Sequence, residues 1–336
     1  MPNAVSLSIV LEWENAKSMD RQLAIEFLVD LAQRIDEVDL PLQRPVELMI
    51  VYDEDVNESD LRGDVAKIHD RLSQGVHVSF LFAPGTGYYE KKGLAPYFLD
   101  SEIIAYADSD CTYSEGWLSK MTLPIHEGRA DMVFGNTQVR AGDNLVERAC
   151  ELAWFFPTDD PSDPLKSKSD NRFFANNFAV RRQTILDVPI PRFDASRSQG
   201  RLWLSELSRS KKVILKEADA VATHKQYGTI AEFLGRAWLL GKDKDAGNSV
   251  LSASRFYRLR RSFAAVFELN GKFIGRFVSV GLRRIPFLEV LPAFILGVVF
   301  QLTANTSQLL ASLRRRSAEP SRDYTDLIGL ARAYSE

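Results

Sequence analysis

Residues 101–118 read SEIIAYADSDCTYSEGWL, a short apolar run that ends in two carboxylates one residue apart. The apolar residues 103–107 predict a buried strand, and Asp108 and Asp110 follow directly after it. In open α/β sheets the carboxyl ends of the strands form the edge that binds ligands. Carboxylate oxygens at that edge suit Mg²⁺ or Mn²⁺ bound to a diphosphate. The stretch therefore predicts an acidic metal-binding edge on a parallel sheet.

The composition is that of a globular protein. Of the 336 residues, 45% are hydrophobic and 26% are charged, which argues against disorder, and a net charge of -3 gives no electrostatic basis for nucleic acid as the main partner. Cys111 and Cys150 form neither a disulfide framework nor a zinc site by themselves, which favours a reducing compartment. The first ten residues lack the features of a signal peptide, so we expect the N-terminal part to be cytoplasmic.

Strand and helix patterns alternate through the first third of the sequence. The predicted strands are residues 5–11, 46–51, 76–82 and 103–107, with helical periodicity between them. This order predicts an α/β fold with a mainly parallel, doubly wound sheet. After a further strand at residues 131–139 the alternation breaks, and the polar residues 157–169 predict a mobile loop that closes over the site.

The last third of the sequence contains arginine clusters separated by an apolar segment. Arginines cluster at residues 255–261 and 314–316, on either side of an apolar segment at about 285–304. Anionic lipids attract each such arginine by about 1 kcal/mol, so the pattern predicts a membrane surface as a partner. We therefore expect a domain at residues 1–226 and a mostly helical, membrane-associated region at residues 227–336. A helical hairpin buried within the protein is the alternative.

Several pieces of the sequence have the order and spacing typical of one family. These pieces are residues 5–12, 51–53, 104–118, 176–182 and 220–224. Together they resemble the family 2 glycosyltransferases with a GT-A fold, of the bacterial, membrane-associated type, and the resemblance covers about residues 5–224. It implies a Rossmann-like GT-A domain that binds a nucleotide-sugar and Mn²⁺ or Mg²⁺.

The resemblance implies roles for the acidic residues at the strand ends. Glu12 would border the nucleotide-sugar at the end of the first strand, and Asp53 would hydrogen-bond the nucleotide base. Asp108 and Asp110 would contact the ribose and the divalent metal. His224 would be a further contact to the metal or the diphosphate. Asn177 and Arg181, in the piece at residues 176–182, would border the sugar or the acceptor.

The sequence departs from the family at the catalytic base. Inversion with a hydroxyl acceptor needs a carboxylate that takes the hydroxyl proton. The family usually has Glu-Asp at the position where this chain has Gln199 and Gly200, and a neutral amide is not a base. Asp194 is the preferred candidate because it is nearer along the chain, and Glu206, two helical turns after Gln199, is the alternative. Gln199 would then orient the acceptor.

These observations lead to one main hypothesis and two alternatives. The main hypothesis is an inverting hexosyltransferase-like enzyme, on the cytoplasmic side of the cell membrane, that uses a UDP- or GDP-sugar donor and a lipid-linked or polysaccharide acceptor. The first alternative is a catalytically degenerate GT-A domain that binds a nucleotide-sugar or scaffolds glycan assembly. The second, a nucleotidyltransferase, needs a Gly-rich basic loop after the first strand, and residues 12–15, EWEN, do not form one.

Overall fold

The computed structural model describes residues 4–18, 21–72, 75–166, 172–192, 199–251, 254–314 and 321–335. Within these ranges one mixed sheet has the strand order β3-β2-β1-β4-β7-β6-β8-β5. The strands are β1 (Leu7–Glu12), β2 (Val46–Tyr52), β3 (Val76–Phe82), β4 (Ile103–Asp108), β5 (Cys111–Tyr113), β6 (Met132–Val139), β7 (Asn177–Arg181) and β8 (Ile214–His224).

The helices fall into a group that precedes β8 in the sequence and a group that follows it. The first group is α1 (Arg21–Asp36), α2 (Glu58–Lys67), α3 (Tyr88–Leu94), α4 (Trp117–His126), α5 (Leu145–Ala153), α6 (Arg182–Asp187) and α7 (Gln199–Arg209). The second group is α8 (Ile230–Leu251), α9 (Arg255–Arg276), α10 (Leu282–Arg284), α11 (Phe287–Arg314) and α12 (Thr325–Ser335), with a π-helical turn at Phe277–Gly281.

The parallel half of the sheet brings three strand ends to one edge. Every residue of β1 and β4 is buried, as expected for apolar runs covered on both faces. Glu12 at the end of β1 lies opposite Asp108 at the end of β4, and it lies opposite Val51 near the end of β2. The parallel sheet and its acidic edge were both predicted from the sequence.

The antiparallel strands β5, β7 and β8 bring further residues to the same edge of the sheet. Strand β5 pairs with β8 so that Cys111 lies opposite His224, which carries His224 next to Asp110. Strand β7 runs antiparallel to β4, with Asn177 opposite Ala107 and Arg181 opposite Ile103. Asn177 is therefore near the site edge, whereas Arg181 lies at the opposite end of β4.

A second apolar core joins α5 to the helices α8, α9 and α11. The helices approach closely at small residues: a Cβ added to Gly241 would collide with the backbone oxygen of Ala304, and one added to Gly297 would collide with the ring of Phe273. One face of α11 is buried in this core, while Phe287, Leu288 and other apolar side chains of α11 are exposed. Among the described helices, α11 is the one long and apolar enough to cross a membrane.

The last helix, α12, packs against the sheet domain. Tyr324, Leu327 and Ala331 are buried in the core of the sheet domain, and Tyr334 contacts the ring of Phe82 with 4.9 Å between centroids. Residues 321–335 thus belong structurally with the sheet domain, although the sequence placed them in the C-terminal region. Local pattern does not reveal this return because it is a long-range contact.

The segment after α5 is held in place in its described part. Asp163 is buried and accepts a hydrogen bond of 2.9 Å from Nε of Arg276 on α9. Arg276 also donates to the backbone oxygens of Trp154 and Phe156. Residues 157–166 are therefore anchored to the helical region, and the predicted mobile lid is wrong for this part of the segment.

Candidate active site

Asp110 and His224 form a converging pair of ligand atoms. His224 Nε2 lies 3.1 Å from Asp110 Oδ2, and both side chains are buried. The other ring nitrogen, Nδ1, is hydrogen-bonded to the carbonyl oxygen of Lys225, so Nδ1–H donates there, and in the neutral ring Nε2 presents its lone pair. Asp110 Oδ2 is the polar atom that faces Nε2 in this buried position. Two acceptors facing each other at about 3 Å have the spacing of neighbouring ligands around an octahedral Mg²⁺ or Mn²⁺, so these residues fit the predicted metal.

Cys111 lies beside this pair but is not a suitable ligand for a hard cation. Burial first, and then the charges of Asp110 and Asp108, raise the pKa of the Cys111 thiol well above its ordinary value. The thiol lies 3.6 Å from Asp110 Oδ1 and accepts a hydrogen bond of 3.3 Å from Asn176 Nδ2. A protonated sulfur is a poor ligand for Mg²⁺ or Mn²⁺. Carboxylate and imidazole are thus the donor set that this edge offers.

Two buried lysines of α3 neutralise the acidic strand ends. Lys92 Nζ lies 2.7 Å from Asp108 Oδ1, and Lys91 Nζ lies 2.6 Å from Asp53 Oδ2 and 3.0 Å from Glu14 Oε2. Burial opposes a charge on Lys91, but the nearby carboxylates raise its pKa above the ordinary value. Asp53 and Asp108 are therefore ion-paired within the chain.

Glu12 sits between these ion pairs. Its side chain is fully buried, and burial, followed by the charges of Glu14 and Asp108, raises its pKa from 4.5 to about 8. Lys91 and Lys92 act in the opposite direction and do not overcome this effect. Glu12 is therefore largely protonated at neutral pH.

Asp108 differs from Asp110 in its surroundings. Besides Lys92, it accepts hydrogen bonds from the hydroxyl of Tyr88, at 2.8 Å to Oδ2, and from Asn15 Nδ2 at 3.4 Å. It does not belong to the cluster of converging ligand atoms around Asp110 and His224. The structure thus separates the two aspartates, which the sequence treated as a common metal site.

A cavity of about 480 Å³ opens next to this edge. Its lining includes three pairs of adjacent aromatic residues: Tyr88 and Tyr89, Phe155 and Phe156, Phe173 and Phe174. Asp108, Asn176 and His224 form its polar side, and Arg172, Arg201, Leu204 and Ala175 complete it. The volume and the mixture of apolar walls with few polar groups are typical of a small-molecule site.

Several predicted site residues are not brought to the cavity. Arg181 pairs with Glu102 and donates to the carbonyl oxygen of Ile125 at 2.7 Å, at the far end of the sheet. Asn177 is fully buried and links two strands by hydrogen bonds. Its side chain accepts a hydrogen bond of 2.6 Å from Trp117 Nε1 and donates hydrogen bonds to backbone oxygens of β6 and β8. Its neighbour Asn176 is the one that lines the cavity.

Glu206, the base candidate within the described residues, does not line the cavity. Glu206 is ion-paired with Arg322, which reaches it from the C-terminal segment. Gln199 is buried at the start of α7 and does not line the cavity. Asp194 lies outside the described residues. The one carboxylate among the described lining residues is Asp108.

The sequence interpretation missed the aromatic walls and the two lysines. The signal for the walls is that each aromatic pair stands at adjacent positions in the sequence, outside a clear helical or strand period. No comparable signal exists for Lys91 and Lys92, because a predicted helix start usually exposes its lysines to solvent.

Residues 97–188, which contain Asp108, Asp110 and β7, match the family model for glycosyl transferase family 2. The chain is similar to that family over these residues. The resemblance that the sequence motifs indicated is thereby confirmed, and so is the GT-A fold, a mixed sheet followed by a helical region. No protein of curated function matches the chain.

Solved structures similar to this chain include complexes with nucleotide-sugars or nucleotides. Mannosyltransferase PcManGT from Pyrobaculum calidifontis, solved with GDP-Man and Mn²⁺, is 13% identical with a TM-score of 0.48, covering 93% of this chain and 86% of that chain. S. aureus TarS 1-349, solved with UDP-GlcNAc, is 14% identical with a TM-score of 0.46, covering 90% of each chain. Glucosyl-3-phosphoglycerate synthase from Mycobacterium tuberculosis, solved with Mn²⁺, UDP and glucosyl-3-phosphoglycerate, is 13% identical with a TM-score of 0.42, covering 68% and 74%.

Proposed function

We propose that this chain is an inverting glycosyltransferase that moves a sugar from a UDP- or GDP-sugar to a lipid-linked or glycan acceptor at the cytoplasmic face of a membrane. The observation that carries the proposal is the pair Asp110 and His224, two buried acceptors 3.1 Å apart beside a cavity of about 480 Å³. The pair stands at the carboxyl edge of the sheet, and Asp110 lies within residues 97–188, which match the family 2 model.

In this proposal each group at the edge has a distinct role. Asp110 and His224 hold Mn²⁺ or Mg²⁺, and a divalent cation there stabilises the negative charge of the leaving diphosphate. Asp53 and Asp108 face the nucleoside, each in an ion pair with a lysine of α3. The aromatic walls and Arg201 surround the sugar and exclude water from the reacting carbon.

Membrane association is proposed for the exposed side of the helical region. Phe287 and Leu288 are 91% and 87% exposed, and Leu291 is 65% exposed on the same helix. Large apolar side chains clustered at a surface are typical of a site that meets a membrane or a partner. Because the other face of α11 is packed on α8, α9 and α5, we propose that the region lies in the interface plane without crossing the bilayer.

A degenerate binding domain is the second candidate, and one observation favours it. The one described carboxylate that lines the cavity, Asp108, is ion-paired with Lys92, and Glu206 is held by Arg322. Incubation of the full chain in detergent with UDP-glucose, UDP-N-acetylglucosamine or GDP-mannose, with and without Mn²⁺, separates the two. Metal-dependent release of UDP or GDP supports the transferase. Binding of these donors without any turnover supports the degenerate domain.

A further inference from the structure

The acidic edge of the sheet contains a sulfur atom that the proposed reaction does not use. Asp110, Cys111 and His224 each offer one ligand atom, and these three atoms lie within 4.8 Å of one another. All three side chains are buried. A carboxylate oxygen, a cysteine sulfur and an imidazole nitrogen are the three kinds of ligand that Zn²⁺ takes in proteins. The edge thus offers a softer cation one more ligand than it offers Mg²⁺ or Mn²⁺.

The distances within this cluster are those of a tetrahedral zinc site. Zn²⁺ binds oxygen and nitrogen at about 2.0–2.1 Å and sulfur at about 2.3 Å, which places neighbouring tetrahedral ligands about 3.3–3.6 Å apart. In the structure, Cys111 Sγ lies 3.6 Å from Asp110 Oδ1, and His224 Nε2 lies 3.1 Å from Asp110 Oδ2. A small rotation of the Asp110 carboxylate is therefore enough to bring one of its oxygens to an ion shared by all three residues.

The backbone of two paired strands holds the three ligands in place. Cys111 on β5 lies opposite His224 on β8 in the antiparallel ladder. The backbone N–H of Lys225, the residue after His224, donates a hydrogen bond of 2.8 Å to the carbonyl oxygen of Asp110. The cluster is thus fixed by regular sheet pairing, so the site exists before an ion binds.

Two of the ligands also have outer partners that suit a bound metal. Asn176 Nδ2 donates a hydrogen bond of 3.3 Å to Cys111 Sγ, and the hydroxyl of Thr137 donates one of 2.8 Å to Asn176 Oδ1. The second bond fixes the amide so that its NH₂ group faces the sulfur, and a donor to sulfur stabilises a thiolate. His224 is oriented by its bond to the carbonyl oxygen of Lys225. Such partners orient metal ligands and raise metal affinity.

From these observations we infer that Asp110, Cys111 and His224 form a Zn²⁺ site, and that Zn²⁺ bound there displaces Mn²⁺ or Mg²⁺ and blocks donor binding. The zinc site stands on the geometry of the cluster, whereas its inhibitory effect rests on the proposed function. When the Zn–S bond forms, the thiol of Cys111 releases its proton to solvent. Sites of this donor type bind Zn²⁺ more tightly than Mn²⁺.

The number of open coordination positions explains the inhibition. An octahedral Mn²⁺ held by Asp110 and His224 has four further positions, which is sufficient for two oxygens of a diphosphate. A tetrahedral Zn²⁺ held by three protein ligands has one. The zinc-bound protein therefore lacks the positions that a bridging diphosphate needs.

Co²⁺ is a spectroscopic probe for this site because it takes tetrahedral zinc positions and absorbs in the near ultraviolet when a thiolate binds it. Titration of Co²⁺ into the full chain in detergent should produce this thiolate band, and added Zn²⁺ should remove it. Cys111→Ser should lose the band. Cys150→Ser is the matched control, because Cys150 on α5 is buried but lies outside the cluster, and it should keep the band. Circular dichroism checks the fold of both variants.

X-ray absorption at the zinc edge tests the parent protein without any substitution. It should show one sulfur at about 2.3 Å from Zn²⁺, with nitrogen and oxygen as the other ligands. A zinc shell of nitrogen and oxygen alone overturns the inference, and so does an unchanged Co²⁺ band in Cys111→Ser.

Competition with Mn²⁺ provides the second readout. Zn²⁺ added to the Mn²⁺-loaded protein should release Mn²⁺, which electron paramagnetic resonance detects as the free ion, and Cys111→Ser should need at least tenfold more Zn²⁺ than the parent or Cys150→Ser. If Zn²⁺ supports release of UDP or GDP from the donors as well as Mn²⁺ does, the inhibitory effect is overturned. If no nucleotide binds with Mn²⁺, the proposed function fails, and the Co²⁺ band and the zinc-edge spectrum still decide whether the cluster binds zinc.

Discussion

Lys92 Nζ lies 2.7 Å from Asp108 Oδ1, and both side chains are buried. At the edge where the sequence predicted a metal between two aspartates, a lysine of the chain itself compensates the first of them. The charge of Lys92 is further accommodated by the ring of Tyr88, whose centroid lies 4.8 Å from Nζ. The acidic edge therefore divides into a part at Asp108 that is ion-paired with Lys92 and a part at Asp110 that faces His224.

Removal of the Lys92 charge should destabilise the fold strongly. Lys92→Met leaves the Asp108 carboxylate buried without its partner, at a cost of about 3–5 kcal/mol in the free energy of unfolding. Urea denaturation followed by circular dichroism measures the loss. Lys67→Met serves as the control, because the Lys67 side chain is 75% exposed and should change stability by less than about 0.5 kcal/mol. Equal effects of the two substitutions would show that the buried pair is not needed.

Glu12 should make stability depend on pH. Its folded-state pKa, about 8, lies above the ordinary value of 4.5, so the folded protein binds more protons between these values. Stability is then full below pH 4.5 and falls as the pH rises toward 8, by at most about 1.4 kcal/mol per pH unit from this group. Denaturation of the metal-free protein in chelator at several pH values should show this slope.

The slope should largely disappear in Glu12→Gln and persist in Glu115→Gln, where the replaced residue is exposed. An unchanged slope in Glu12→Gln would mean that another group causes it.

The strands and the acidic edge could be predicted from the sequence. The residues that form ion pairs with the acidic side chains at that edge could not. The apolar run at residues 103–107 predicts a buried strand, and the observed strand β4 spans Ile103–Asp108. Arg181 was misjudged because its position depends on the direction of β7, which the local pattern does not encode. The ion pairs of Lys91 and Lys92 depend on how closely α3 packs against the edge, which is likewise a tertiary property.

Close helix contacts should distinguish two glycines of α8. Gly241→Ala places a Cβ against the backbone of Ala304 on α11, so we expect a loss of about 1–3 kcal/mol. Gly235→Ala meets no atom within 4 Å and should stabilise the helix by about 0.5–1 kcal/mol. Thermal unfolding measures both. Similar changes in the melting temperature, in the same direction for both variants, would contradict the packing of α8 on α11.

The exposed end of α11 should control membrane binding. Phe287→Glu together with Leu288→Glu replaces two exposed apolar side chains, so binding to anionic vesicles should fall by at least tenfold while thermal stability is retained. Vesicle co-sedimentation gives the bound fraction. Val213→Glu, at an exposed apolar residue of the sheet domain, is the control and should bind as the parent does. Unimpaired binding of the double variant would place the membrane contact elsewhere.

Asp110 tests the central claim, that a divalent metal joins the nucleotide to this edge of the sheet. Calorimetric titration of UDP and GDP into the protein, with and without Mn²⁺, measures metal-dependent affinity in the parent, in Asp110→Asn and in the exposed control Asp100→Asn. Loss of a direct ligand should weaken metal-dependent binding about 100-fold or more in Asp110→Asn. The control should bind normally. Unchanged Mn²⁺-dependent affinity in Asp110→Asn would contradict the account.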